Sequence, residues 1–161
     1  MLTAQRLREA LDYDRNTGVF TWRIRPSQNT KPRAVAGGVC STGAIQIRVD
    51  GRKWHAHRLA WLHVHGSLPQ GDIDHINLNR SDNRIANLRE ATRSQNCCNV
   101  GLRKDNRTGM KGVSKRRGQW SARITKDYRT TFLGSFDSCA AAAAAYAVAA
   151  AALHRDFART D

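Results

Sequence analysis

The sequence predicts an α+β chain made of two small modules, and three observations carry that reading. Short apolar runs with strict alternation, such as Ala44-Ile-Gln-Ile-Arg-Val49 and Gln119-Trp-Ser-Ala-Arg-Ile-Thr125, have the period of two of half-buried strands. Capped helical segments interleave with them, one near the start and one alanine-rich stretch near the end. Between them the polar, basic, glycine-ended stretch Gly101-Leu-Arg-Lys-Asp-Asn-Arg-Thr-Gly109 marks a boundary.

In chain order, residues 3–12 hold Leu7 and Leu11 four apart behind Thr3 as a cap, which predicts a short amphipathic helix. Asp14-Arg-Asn-Thr-Gly18 reads as a turn into the strand Val19 to Arg23. Residues 26–38, with Pro26, Pro32, Gly37 and Gly38, read as a loop. Ala44 to Val49 then forms a strand, Asp50-Gly51 a hairpin turn and Lys53 to His57 its partner. Arg58 to His65 reads as a helix with Leu59, Trp61 and Leu62 on its core side. Beyond Gly109, Lys111 to Arg117, Gln119 to Thr125 and Thr130 to Leu133 predict three strands with tight turns at Gly118 and near Lys126-Asp-Tyr128. A helix from about Ser138 to His154 follows, capped by Asp137 or Ser138. Alanine gives it the best helix propensity and a slim profile against a sheet.

The net charge of +14, from 27 Lys and Arg against 13 Asp and Glu, with a pI near 10.8, points to a polyanionic partner. Anionic membrane is the rival partner, but the sequence has no long apolar span. The start, Met1-Leu-Thr-Ala-Gln-Arg6, has no apolar signal region, so a cytoplasmic location is expected. Cys40, Cys97, Cys98 and Cys139 lack the spacing of a zinc site and are expected to be reduced thiols. The His-x-His pairs His55, His57 and His63, His65 raise a zinc reading that the lack of adjacent acidic partners disfavours. No structural zinc is expected.

The most informative stretch runs from Asp72 to Asn96. Two short apolar-alternating runs, around Ile73 to Ile76 and Leu88 to Thr92, flank a loop rich in Asn, Asp, Ser and Arg. Thr92 and Gln95 have capping-box spacing, so a helix carrying Asn96 should follow. This strand, loop, strand, helix unit displays Asp74, His75, Asn87 and Asn96, a usable set for phosphodiester hydrolysis. A neutral imidazole takes a proton from water near pH 7, making His75 the candidate base. Asp74 and Asn96 offer hard oxygens to a divalent cation such as Mg²⁺, which needs only one or two protein ligands. Asn87 is expected to orient the imidazole. Neighbours in a strand face opposite ways, so either the strand ends at His75 or Asp72 competes as the ligand; the loop starting at Asn77 favours the former. The bland alternative is a polar hairpin whose Asn and Asp serve only as turn formers.

Asp74-His75, Asn87-Leu88 and Asn96 resemble the signature of the HNH endonucleases, in the variant with Asn at the third position. His57-Arg-Leu-Ala-Trp61 and Asn83-Arg-Ile-Ala-Asn-Leu88 resemble its phage and intron-encoded, homing-type branch. The resemblance implies a ββα-metal (His-Me finger) core over residues 51–103, with His75 as base. It implies one divalent metal on Asp74 and Asn96, Mg²⁺ by preference and Mn²⁺ as the alternative. Tyr13 to Trp22 is similar to a segment that often precedes such a core, so residues 1–50 are read as a supporting helix and hairpin. His57 matches a recurrent family position and is expected to give structural support. Arg23, Arg25, Arg48, Arg52 and Lys53 on this module's strands are either a DNA backbone track or an ordinary solvated face.

The tail, residues 108–158, resembles the three-stranded DNA-binding domain of the plant Apetala and ethylene-response-factor type. The matching segments are Lys111-Gly-Val, Gln119-Trp-Ser-Ala-Arg-Ile, Phe132-Leu-Gly-Ser-Phe-Asp137 and Ala-Ala-Tyr146. The resemblance implies a three-stranded antiparallel sheet on one Ala-rich helix, docking in the major groove of double-stranded DNA. It names Lys111, Arg116, Trp120 and Arg123 as contacts, while Ser114 stands where the family usually has Arg. The whole is expected to be a monomeric, metal-dependent DNA endonuclease, in a host cytoplasm if phage-encoded. A DNA-binding regulator with a degenerate nuclease core and an RNA-binding accessory protein are its rivals.

Overall fold

The computed structural model describes residues 2–103 and 105–160; Met1, Asp161 and Lys104, the last within the expected boundary stretch, lie outside the described residues. The chain divides into two compact units, Met1–Ala91 and Thr92–Asp161. The division precedes the polar stretch at which the composition changes.

In the first unit, α1 (Ala4–Ala10) is capped by Thr3, whose side chain accepts a hydrogen bond from Arg6 N. The helix stops short of Asp12, because Leu11 turns extended and begins β1 (Leu11–Tyr13). There Leu11 is fully buried and lies opposite Trp22 of β2 (Phe20–Trp22), so strand pairing overrides the helical spacing. The next sheet runs β3 (Gly38–Val39), β4 (Ile45–Val49), β5 (Arg52–His55), with the β4–β5 turn at Asp50-Gly51, both at positive φ as the hairpin signal requires. Then α2 (Ala56–His65) ends at Gly66 in the left-handed region. Arg8 of α1 donates to the His63 carbonyl near that end. Leu7, Leu11, Ile47 and Leu59 form the fully buried centre of the core. Ile73 and Leu88 join it from β6 (Asp72–His75) and β7 (Leu88–Ala91), which tie the hairpin to the core by their apolar sides.

The second unit opens with α3 (Arg93–Cys98), where Thr92 and Gln95 form the capping box that the spacing predicts. An antiparallel sheet follows, ordered β10-β9-β8: β8 (Val113–Arg116), β9 (Gln119–Lys126) and β10 (Arg129–Phe136). Both turns, Arg117-Gly118 and Asp127-Tyr128, have positive φ at both positions, which matches the right-handed twist of the strands. Ser138 caps α4 (Cys139–His154), accepting from Ala141 N. Ala142, Tyr146 and Ala150, four apart, lay one helix stripe on Val113, Ala122 and Ile124. Two alanines out of three let the helix approach closely, and Tyr146 supplies the volume.

That close approach makes Gly112 a fixed point. It sits at φ +69°, and a Cβ there would meet the Tyr146 ring at 2.3 Å and the Arg123 carbonyl oxygen at 2.5 Å. Gly109 has nearly the same φ, +68°, with nothing within 4 Å. Gly109→Ala should therefore cost only the left-handed penalty, about 1–2 kcal/mol. Gly112→Ala should cost distinctly more, because the clash adds to that penalty. Chemical denaturation of the two variants checks the difference.

Candidate active site

The paired strands β6 and β7 position the polar residues of the first unit. Their register sets Asp72 opposite Ala91, Ile73 opposite Glu90, Asp74 opposite Arg89 and His75 opposite Leu88. The strand does end at His75, yet adjacent side chains still leave it on opposite faces. Asp74 and His75 thus have separate surroundings, although both are buried, at 4% and 7% exposure.

Asp74 takes the ion pair of its cross-strand neighbour. Arg89 Nε and Nη2 lie 2.8 and 2.7 Å from Asp74 Oδ2. Breaking such a buried pair by removing one partner typically costs about 3–5 kcal/mol, since a charge is left without compensation. Asp72, on the same face, is half-buried at the strand's start.

His75 packs edge-on against the His57 ring, with centroids 5.0 Å apart, and His57 in turn stacks on His55 at 5.2 Å. Its Nε2 lies 3.4 Å from Oδ1 of Asn83. Burial pushes the His75 pKa below its ordinary value, against the opposing pull of Asn83, Asp74 and Asp82. Burial lowers His57 further, to about 3, helped by the neighbouring His75 and His55. Both imidazoles are therefore neutral at pH 7, the form in which a histidine accepts a proton. Of the two His-x-His pairs the first stays stacked and the second separates: His63 lies near Tyr13 and Phe20, and His65 near Trp61. Among the described residues no group of three or more His, Cys, Asp and Glu side chains converges as a metal site.

The loop between the strands is held by its own side chains. Asn87 Oδ1 accepts from Asn77 N at 3.0 Å, and its Nδ2 donates to Asn77 Oδ1 and to the Asp82 carbonyl, at 2.9 and 2.8 Å. Asn77 donates to Asp82 Oδ2, and Asn79 Oδ1 accepts from Ser81 N and Oγ. Arg84 clasps Asp82 and, with the loop amides, holds its carboxyl well below the usual carboxylate range. Sequence reasoning assigns Asn87 to the imidazole; in the structure the amide beside the imidazole is that of Asn83, and Asn87 shapes the loop. The two asparagines stand four apart in Asn83-Arg-Ile-Ala-Asn87, and no local signal separates them. Arg89 was equally unmarked, one basic residue among many.

Asn96 stands half-buried on α3, one turn beyond the Thr92 cap, in the second unit. Of the four tail residues singled out by the sequence, the sheet brings two together. Arg116, opposite Gln119, and Arg123, opposite Phe132, share the exposed face with Ser114, Ser121, Thr125 and Thr130. The Arg123 guanidinium lies 5.8 Å from the centre of the Phe132 ring, which is itself 56% exposed. Trp120 has the opposite parity and packs against the helix-side cluster, with Lys115 5.2 Å from its ring. Lys111 Nζ donates to the carbonyls of Cys98 and Val100, each at 2.7 Å, so its charge serves the end of α3.

Residues 55–97, which contain α2, the β6–β7 pair and most of α3, match the family model described as HNH endonuclease. The chain is also 35% identical over 74 residues to Protein 3.8 of Escherichia phage T7, over 44% of this chain and 61% of that protein. It thus matches less than two thirds of the length of that relative. No solved structure matches. Residues 55–97 are thus similar to an HNH endonuclease domain, and the chain is similar in part to a phage protein.

Proposed function

We propose that the chain is a metal-dependent, homing-type DNA endonuclease of the HNH kind, with His75 as general base. The observation that carries the reading is the buried, neutral His75 imidazole, next in sequence to the buried Asp74 and inside the matched segment. His75 takes a proton from water, the hydroxide attacks phosphorus, the bond to the 3′ oxygen breaks, and that oxygen takes up a proton from solvent. The products carry a 5′-phosphate and a 3′-hydroxyl. Asp74 and Asn96 are the proposed metal ligands, and their hard oxygens fit Mg²⁺ or Mn²⁺. Such a cation, when bound, neutralises charge on the phosphate and on the leaving oxygen. Arg89 on Asp74 Oδ2 competes with it for the carboxylate. That pairing is also what favours the rival reading, a DNA-binding regulator with a degenerate core.

A plasmid assay separates the two. Supercoiled DNA should convert to open-circular or linear form with Mg²⁺ or Mn²⁺ and stay intact in excess chelator. Cutting that persists in chelator would refute the metal assignment, and no cutting with either metal would favour the regulator.

Single substitutions should split chemistry from binding. His75→Ala should lower the cleavage rate by about 10²-fold or more with DNA affinity kept, since no cationic contact is lost. Asn96→Ala should be partly restored by raising the metal concentration, a titration that reads the ligand role.

The exposed face of the three-stranded sheet is the proposed DNA reader, with the chain's excess of 14 positive charges favouring a polyanion. Arg116→Ala and Arg123→Ala should each reduce the slope of log affinity against log salt by about 0.9 if the side chain meets a phosphate. A base contact should instead relax discrimination at one position, by about 1–3 kcal/mol. Lys111→Ala and Trp120→Ala should lower the melting temperature and leave site preference unchanged. Competition binding across a randomised site at two salt concentrations, with melting curves, tests all four.

A further inference from the structure

The segment Tyr13 to Trp22 is distant in sequence from the β6–β7 loop but closes on it at three successive residues. The Tyr13 hydroxyl donates to the Asn83 carbonyl at 2.7 Å. Gly18, buried at φ +74°, abuts the next peptide: a Cβ there would lie 2.5 Å from the Asn83 carbonyl carbon and 2.4 Å from Arg84 N. The amide of Ile85 donates to the Arg15 carbonyl at 3.3 Å. The turn that makes these contacts is itself braced, with Asp14 Oδ1 accepting from Asn16 N and Gly18 N donating to the Asp14 carbonyl. Tyr13 is fixed by stacking on the buried Phe20, with centroids 4.7 Å apart.

What this turn holds is Asn83, the polar residue with the least exposure in the first unit at 1%. Its Nδ2 donates to the Ser81 carbonyl at 3.0 Å, which turns Oδ1 toward His75. An amide oxygen only accepts, so a hydrogen bond between these two atoms requires the tautomer with the hydrogen on Nε2 and the lone pair on Nδ1. We propose that Tyr13, Arg15 and Gly18 form a clamp that sets Asn83, and that Asn83 thereby fixes the position and tautomer of His75. Tyr13 and Asn83 are positioning residues that act through the imidazole. The inference rests on the reading of His75 as base for its catalytic part only; the clamp and the tautomer stand on the contacts themselves.

The test uses full-length protein carrying Tyr13→Phe or Asn83→Ala, with His75→Ala as reference. Imidazole ¹⁵N spectra at pH 8 report the tautomer, and the signal of His75 among the six histidines is identified by its loss in His75→Ala. The wild type should show the Nε2–H form. Asn83→Ala should shift it toward a mixture, and Tyr13→Phe, which keeps the ring on Phe20, should shift it the same way by less. In plasmid cleavage kcat should fall about 10-fold for Asn83→Ala, with a smaller fall for Tyr13→Phe and KM little changed. Gly18→Ala should act more strongly, and if it unfolds the protein Tyr13→Phe still decides. Unchanged spectra in both variants would overturn the clamp. Shifted spectra with wild-type kcat, where His75→Ala is dead, would overturn its catalytic role, as would a rise in KM alone. If His75→Ala cuts at the wild-type rate, the base assignment fails by itself, and the spectra still decide whether the clamp positions the ring.

Discussion

Two adjacent polar side chains on an antiparallel strand leave it on opposite faces, and Asp74 and His75 are both buried there. Each face must then supply its own compensation. Arg89 does so for Asp74 from directly across the ladder. Asn83 and His57 do so for His75 from outside the strand pair. A slip of one residue in the β6–β7 register would exchange the two faces, exposing Ile73 and Leu88 and parting Asp74 from Arg89. The apolar anchors and the buried ion pair therefore enforce the same register, and the placement of the imidazole follows from it.

The loop between these strands faces the opposite problem, being polar and with little apolar surface to bury. Its shape comes from side chains that satisfy backbone groups, chiefly Asn77, Asn79, Asp82 and Asn87. A network of this kind fixes a loop against itself, yet leaves open where the loop lies as a body. The hairpin turn at Asp14 to Gly18 supplies that second constraint through the backbone of residues 83–85. Residues 1–50 thus do more than support the matched segment in general, since the Tyr13 hydroxyl on β1 reaches the loop that carries Asn83.

In the second unit the same period of two sorts residues by face. Even positions of β9, Trp120, Ala122 and Ile124, turn to the alanine-rich helix, and odd positions, Ser121, Arg123 and Thr125, turn outward. A sheet with one face covered needs polar residues on the other, and here those residues include cations beside an exposed aromatic ring. This division leaves Arg116 and Arg123 available to a partner and commits Trp120 to packing.

The sequence by itself determined what depends on neighbours within a few positions. The Thr92–Gln95 capping box, the Asp50-Gly51 and Gly118 turns, the alternation of β4 and β9 and the capped alanine-rich helix all follow from local chemistry. The chemical kind of the candidate site, a histidine beside a carboxylate within an asparagine-rich loop, was legible for the same reason. Partner choice was not. Helical spacing carried the first helix through Leu11, where a strand partner near position 22 ended it. Asn83 and Asn87 are identical side chains on one short segment, and only the folded loop gives one to the imidazole and the other to the backbone. The hydroxyl that fixes Asn83 comes from 70 residues away, and Lys111 is spent on carbonyls that no pattern around it announces. A hydrogen bond selects its partner by position in space, and tertiary packing sets that position.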